Sequence, residues 1–365
     1  MGLPNHVQEK RNDLVEQVIA DIKAGKPFFW DCEHYGKPSH NIAKDSPYRG
    51  LNRMRLIIAS CEKGFTDSRW GTYRQAKEKG WQVKKGEKGT HIEWWTFSQT
   101  VKEQDQQTGE EIQRDQKLDR PMVKNYVVFN AQQMEGVPEE HPITIDESQR
   151  NEYMENMLKN SEAKIFFDES YRNYYSPDKD EIHVLPREKF KNLDAFYATC
   201  AHEIAHSTGH KSRLDRDLMG GANKEEYAKE ELRAELTSMF IAQDWGINLD
   251  ESHYQSHEAY LQSWAKVLEN DPNELYRAAA KAQEMADYIE KNMLLKGLEL
   301  PKAAEQTQEA AQEQAAAPVL AVAEEKAKLK VAEKKTSKTA TKRRTSKRKV
   351  GVKTPEKGKS ASMER

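Results

Sequence analysis

The sequence predicts an α+β protein of two domains followed by a disordered basic tail, and three observations carry that reading. At 365 residues the chain is long enough for two domains, each with its own core. Strand-like alternation and helix-like apolar periodicity both recur on either side of a polar linker at residues 137–148. Charge is segregated along the chain. Residues 326–365 carry 16 Lys or Arg against three acids, residues 44–90 carry 12 against five, and residues 136–325 are net −18. With 32% charged residues and a mean hydropathy of −0.97, part of the chain cannot bury enough apolar surface to fold. The expected division is a first domain at 1–136, a linker at 137–148, a second domain at 149–298 and a tail at 299–365 that is Ala/Gln-rich, then Lys/Arg-rich.

In the first domain, Leu14, Val15, Val18, Ile19 and Ile22 form one apolar stripe, which predicts a helix from Val7 to Ala24 stopped by Gly25. The stretch from Phe28 to Asn52, rich in aromatics, Pro and Gly, predicts short strands and turns, and a short helix is expected over Leu51–Glu62. Residues 101–120 are almost all polar and read as an exposed loop or hairpin extension, and MVKNYVVFNAQQMEG reads as a strand closing the domain near Gly136. In the second domain a helix is expected over Gln149–Lys159. AKIFFD reads as a strand, and YRNYYSPDKDEIHVLP as two strands around a Pro-Asp turn, one of them an edge strand beside the site discussed below. Helices are expected over Leu193–Thr208, Glu225–Asp244, Ser252–Leu268 and Asn273–Lys291.

No apolar run approaches the roughly eighteen residues of a membrane span, and MGLPNHVQEKRNDL has no apolar signal core. A cytoplasmic protein with no membrane partner is expected. Cys32, Cys61 and Cys200 are odd in number and form no CxxC, which points to reduced thiols.

Arg69, Arg74, Lys84, Lys85 and Lys88 are interleaved with Trp70, Tyr73, Trp94 and Trp95. Single-stranded nucleic acid suits that mixture, because flat rings stack on unpaired bases while cations follow the phosphates. The other reading is a small aromatic core with a solvated lysine face around a turn at Lys85–Gly89. Composition leaves the two open.

The second domain carries His-Glu-Ile-Ala-His at 202–206. Two histidines four apart share a helical face and can reach one ion, with Glu203 beside them as a general base. Catalytic zinc takes three protein ligands and an open position. In HExxHxxGxxH the third histidine would fall at Ser212, so that arrangement fails. His210 follows a glycine that ends the helix and turns it away. The acidic helix KEELRAEL then supplies the third ligand. Glu231 as ligand with Glu235 supporting a histidine is the leading choice, with their reversal or Glu230 as ligand left open. Zn²⁺ is the expected cofactor, with Mn²⁺ or another divalent ion as an alternative. With three ligands in place, Glu203 would take a proton from zinc-bound water attacking a carbonyl and pass it to the leaving amine.

HEIAHSTGHKSRLDRD followed by EELRAEL resembles the zincin-like metallopeptidase domain of the ArdC antirestriction family. SPYRGLN, RWGTYRQAKEKGWQVKKGEKGTHIEWW and YVVFNAQQMEGV resemble that family's N-terminal single-stranded-DNA-binding domain, shared with TraC-type plasmid primases. The similarity runs from about residue 8 to 292. It implies a mobile-element protein that binds single-stranded DNA and protects incoming DNA from restriction. It also implies His202 and His206 as ligands, Glu203 as the catalytic-type glutamate and an acidic third ligand within Glu230–Glu235. Arg49 and Arg53 join Arg69, Trp70, Tyr73, Arg74, Lys84, Lys85, Lys88 and Trp94 as expected DNA contacts, and a restriction enzyme or other protein is a candidate substrate. The rival expectation is a DNA-binding accessory protein of conjugation whose metal site is structural or idle.

Overall fold

The computed structural model describes residues 3–25, 38–104, 111–139, 146–168, 172–218, 224–247 and 258–298. The expected basic tail, the first half of the aromatic-rich stretch and the start of the Ser252 helix lie outside the described residues.

Helix α1 (Asn5–Lys23) buries Val7, Val15, Val18 and Ile22 on one stripe. Two-residue strands β1 (His40–Asn41) and β2 (Ser46–Pro47) precede α2 (Gly50–Lys63). α2 ends at Gly64, whose left-handed φ of 68° lets its N–H return to the carbonyls of Ser60 and Cys61. After β3 (Arg69–Thr72) comes a short helix the periodicity did not reveal, α3 (Tyr73–Glu78). Its signal is a capping box, in which Thr72 accepts from the Gln75 N–H while the Gln75 side chain accepts from the Thr72 N–H. Strand β4 (Gln82–Val83) pairs antiparallel with β7 (Met134–Glu135).

Within 101–120, residues 101–104 and 111–120 are strand, belonging to β5 (Thr90–Gln104) and β6 (Glu111–Asn130), which lie side by side in the sheet. Of the two readings, loop or hairpin extension, the described residues fit the second; composition left both open because strands exposed on both faces have no apolar alternation. The sheet order is β2-β1-β3-β6-β5, with Trp70 opposite Asn130 in the β3–β6 ladder. The described residues within Phe97–Arg120 fall in a different compact unit from the rest, and there Thr100 donates to Asp115 at 2.9 Å. The remaining described residues form the other unit.

In the second half, α4 (Glu147–Lys159) leads to a three-stranded sheet ordered β8 (Lys164–Phe167), β10 (Glu181–Val184), β9 (Tyr174–Ser176). β8 runs parallel and β9 antiparallel to β10, which leaves β9 an edge. Helices α5 (Leu193–Ser207), α6 (Lys224–Trp245), α7 (Glu258–Asn270) and α8 (Glu274–Ile289) follow, and α8 continues into a π-helical turn, Glu290–Leu294.

The architecture is α+β, but the first half does not keep a sizeable core to itself. Val15, Val18 and Ile22 of α1 and Met54, Ile57 and Ile58 of α2 join the main core with α5, α6 and α8. The N-terminal sheet retains two small clusters, one around Trp70 and Val128, the other around Ala76 and Met134. Short strands bury too little for an independent core, so the helices' apolar faces find α7 and α8 instead.

One buried ionic knot crosses this contact. Glu93 has a fully buried side chain, and Arg11 reaches it through two hydrogen bonds at 2.9 and 2.7 Å. Arg55 and the Trp95 indole approach it at 3.3 and 3.1 Å. Tyr276 of α8 donates to the Arg11 carbonyl at 2.9 Å, with the Arg11 guanidinium over its ring. Cys200 is buried and free, whereas Cys61 enters a disulfide, contrary to the expectation of three reduced thiols. Among the described residues no helix is long and apolar enough to cross a membrane.

Removing Glu93 leaves two buried guanidiniums without their carboxylate. Glu93→Ala is expected to lower stability by about 3–5 kcal/mol, read from the midpoint of urea unfolding. A change below about 1 kcal/mol would show that Glu93 does not stabilise the two buried guanidiniums.

Candidate metal centre

Helix α5 begins where the Asn192 side chain accepts from the Ala195 N–H at 2.8 Å, and nearly every residue after that is buried. A helix apolar on all sides belongs inside a core, and α5 lies between the β9–β10 edge and α6. Its 3.6-residue repeat then turns His202 and His206 together toward α6. The imidazoles meet edge to face with centroids 4.8 Å apart, and their Nε2 atoms are 3.2 Å apart.

Helix α6 presents three buried glutamates to this pair. Glu231 lies between the two rings, one oxygen 3.6 Å from His202 Nε2 and the other 3.5 Å from His206 Nε2. Glu235 faces His202 Nδ1 at 3.1 Å, and Glu230 faces His206 Nδ1 at 3.5 Å. Each histidine therefore has a carboxylate behind it and turns its other nitrogen to a shared point. Atoms of His202, His206 and Glu231 lie within 4.8 Å of one another. Ligand atoms about 2.0–2.1 Å from a tetrahedral ion stand roughly 3.4 Å apart, so these separations fit a single divalent ion.

Glu203, on the same helix, is buried. Burial pushes its pKa up, His202 and His206 work against that rise, and the Tyr175 backbone N–H of edge strand β9 donates to its carboxylate. Burial also disfavours charged His202, yet its bonds to Glu231 and Glu235 hold its pKa well above the usual imidazole value. His206 is raised in the same way, chiefly by Glu231 and Glu230 against burial. Burial opposes ionisation of Glu231 too, but the two histidines pull its pKa down to about 2. The Tyr227 hydroxyl, one turn earlier on α6, donates to the Glu231 carboxylate.

His210 turns away, its ring bonding Ser212 at 2.8 Å. Two residues of this loop escaped sequence reasoning, which has no rule for them. Arg213 makes two bonds to Asp180, at 2.8 and 2.7 Å, and Asp180 accepts from the Tyr175 hydroxyl. Arg216 bonds Glu230 at 2.8 Å.

Residues 152–281 match the family model of a zincin-like metallopeptidase, and residues 8–129 that of the N-terminal domain of the anti-restriction factor ArdC. Crystal structures of the antirestriction ArdC protein from plasmid R388 align with this fold. The metal-free one has a TM-score of 0.62 at 34% identity, over 77% of this chain and 97% of that one. The Mn(II)-bound one has a TM-score of 0.61 at 32% identity, with the same coverage. The chain belongs to the ArdC antirestriction family. An uncharacterised Sinorhizobium fredii protein, y4eC, is 34% identical over 78% of this chain and 92% of its own length. Two Escherichia coli proteins named DNA primase TraC are each 37% identical, but the chain spans only 30% and 19% of their lengths. The zincin-like domain implies a divalent metal.

The ArdC N-terminal domain does not expose all of the basic and aromatic residues expected to meet DNA. Trp70 is fully buried in the sheet's small core, edge to face with Phe65. Arg53 is 2% exposed and spends its guanidinium on Gln243, Asp244 and the Phe240 carbonyl of α6. Both expectations are corrected, because composition does not report which face of α2 or β3 packs inward. Arg49 pairs with Asp287 of α8. Arg69 is held by Asp67 through two bonds and by the Pro138 carbonyl. Trp94 is half-buried. Lys84 bonds the Gln132 carbonyl. Tyr73, Arg74, Lys85 and Lys88 are exposed, with Arg74 paired to Glu78.

In the metal-free ArdC fold, the raised His202 and His206 contribute stability that is complete below pH 6.5 and fades as pH rises through their folded values. Glu231 contributes above pH 4.5 and loses that contribution as pH falls toward 2. Chelator-treated protein is expected to melt at a lower temperature near pH ~8.5 than near pH ~6, and His202→Ala/His206→Ala should reduce the difference. Equal melting temperatures at both pH values would contradict the assigned shifts.

Proposed function

We propose that this protein is a two-domain antirestriction factor that holds single-stranded DNA on its N-terminal domain and hydrolyses peptide bonds at a divalent-metal centre in its second domain. The observation that carries the reading is the convergence of His202 Nε2, His206 Nε2 and Glu231 beside the buried Glu203. His202, His206 and Glu231 are the ligands, Glu235 and Glu230 orient the histidines from behind, and Zn²⁺ or Mn²⁺ is the ion. When bound, the ion supplies Lewis acidity that polarises a carbonyl and acidifies water. Glu203 takes the proton from the attacking water and returns it to the leaving amine, a role that suits a carboxylate whose pKa burial has raised. The Tyr175 N–H keeps that carboxylate aimed while the site is free of substrate. A restriction enzyme or another cytoplasmic protein is the proposed substrate.

The proposed division keeps 1–136 as the DNA-binding domain, 137–148 as linker, 149–298 as the zincin-like domain and 299–365 as a basic tail. Tyr73, Arg74, Lys85 and Lys88 are the DNA contacts the exposure pattern favours, an aromatic ring for stacking beside three cations for phosphates. The net −18 of residues 136–325 repels nucleic acid, so binding is assigned to the first domain.

Two experiments test the proposal. Glu203→Gln should keep one bound ion by metal analysis and lower peptide hydrolysis by about 10²–10⁴-fold; hydrolysis at the wild-type rate would remove Glu203 from the chemistry. Tyr73→Ala with Lys85→Ala in the full chain should weaken single-stranded DNA binding by at least about tenfold and flatten its salt dependence. Unchanged binding in a filter assay would move the DNA surface elsewhere.

A further inference from the structure

The segment after α5 folds back on the end of that helix as a hydrogen-bonded turn. The Leu214 N–H returns to the Thr208 carbonyl at 2.9 Å and the Arg216 N–H to the Gly209 carbonyl at 3.0 Å. A Cβ at Gly209 would stand 2.6–2.9 Å from the Leu218 side chain, which would then have to shift. The turn carries two arginines three residues apart, Arg213 and Arg216, both with almost fully buried side chains.

Arg216 grips two things at once. One arm of its guanidinium donates to the Thr208 hydroxyl at 2.6 Å, and the other donates to the Ala205 carbonyl at 3.0 Å and to Glu230 Oε1 at 2.8 Å. Ala205 and Thr208 bracket His206 on α5, and that same Glu230 oxygen stands 3.5 Å from His206 Nδ1. The other Glu230 oxygen is 3.6 Å from Arg233. A planar fork can hold a helix turn and a carboxylate in one fixed relation, which a lysine ammonium, a single point of charge, cannot.

We propose that Arg216 is a positioning residue of the metal centre. By holding Glu230 and the helical turn of His206 on one guanidinium, it fixes the imidazole with Nδ1 toward Glu230 and Nε2 toward His202 and Glu231. The proposal rests on the reading of His202, His206 and Glu231 as metal ligands. Partners behind a ligand histidine typically change metal affinity by about 10–100-fold when removed.

Arg213 supplies the control a purely structural role requires. It is buried at the same helix end and bonds the Ser207 carbonyl at 2.8 Å, Asp180 twice and Glu162 at 3.1 Å. Its partners are not the carboxylates that face His202 or His206. Loss of Arg213 should lower the melting temperature without touching the orientation of a ligand.

The test is calorimetric titration of the full-length metal-free protein with Mn²⁺, alongside melting temperatures of each metal-free variant. R216Q is expected to raise the Kd about 10–100-fold. R213Q should bind within about twofold of wild type, and R216Q/E230Q should bind no more weakly than the weaker single variant, because both act through one chain of contacts. Wild-type affinity in R216Q, or an equal loss in R213Q, overturns the proposal. Should R216Q fail to fold, R216K carries the same test, with weaker binding expected and wild-type affinity overturning. Failure of the unchanged protein to bind Mn²⁺ would overturn both the metal-site reading and this one, whereas equal binding by wild type and R216Q would overturn this one alone.

Discussion

The contact between α5 and α6 governs the rest of the second half, because it buries four carboxylates and two imidazoles in a core otherwise built from Ala, Leu, Ile and Phe. Isolated buried carboxylates are too costly to persist, so Glu203, Glu230, Glu231 and Glu235 require positive charge among them. Arg216 and Arg233 supply part of it at Glu230. The rest can come from protons on His202 and His206 or from one divalent ion between their Nε2 atoms. Those two solutions exclude each other, so proton and metal compete for the same point. The raised histidines and the strongly acidic Glu231 are the metal-free side of that balance.

A second constraint lies between the two halves. α1 and α2 belong by sequence to the basic first domain, yet their apolar stripes complete the core that supports α6 and α8. Arg53, expected from the sequence as a DNA contact, is spent on this junction through Asp244, and Arg11 and Arg55, held together by Glu93, reach Tyr276 of α8. The proposed DNA-binding half and the scaffold of the proposed metal centre therefore share helices. Burial there removes Arg53 from the cations that can face nucleic acid, while Arg74, Lys85 and Lys88 stay exposed.

The fold and the core of the site were legible to different degrees. Helix periodicity placed α1, α2, α5, α6 and α8 to within a few residues, and HEIAH placed both histidines on one face, because both signals are local. The three-way choice among Glu230, Glu231 and Glu235 stayed open in sequence because it depends on the rotation of α6 against α5, which only packing sets. Once packed, the three divide the work, Glu231 between the rings and the others behind them. Trp70 and Arg53 were misplaced for the related reason that neither a four-residue strand nor a short helix declares which side is covered. Arg213 and Arg216 were illegible, since their partners lie on the end of α5, on Glu230 and in the β9–β10 turn. The strands at 101–104 and 111–120 are only half legible, as their polar faces look alike to periodicity.

The central claim is that Glu231, and neither Glu230 nor Glu235, completes a single three-residue metal site with His202 and His206. Anomalous diffraction from crystals grown with Mn²⁺ tests it most directly. One strong peak is expected about 2.0–2.3 Å from His202 Nε2, His206 Nε2 and a Glu231 oxygen, with Glu230 and Glu235 still facing the two Nδ1 atoms. A peak bound through Glu230 or Glu235 in place of Glu231, or bound away from the histidines, would contradict it.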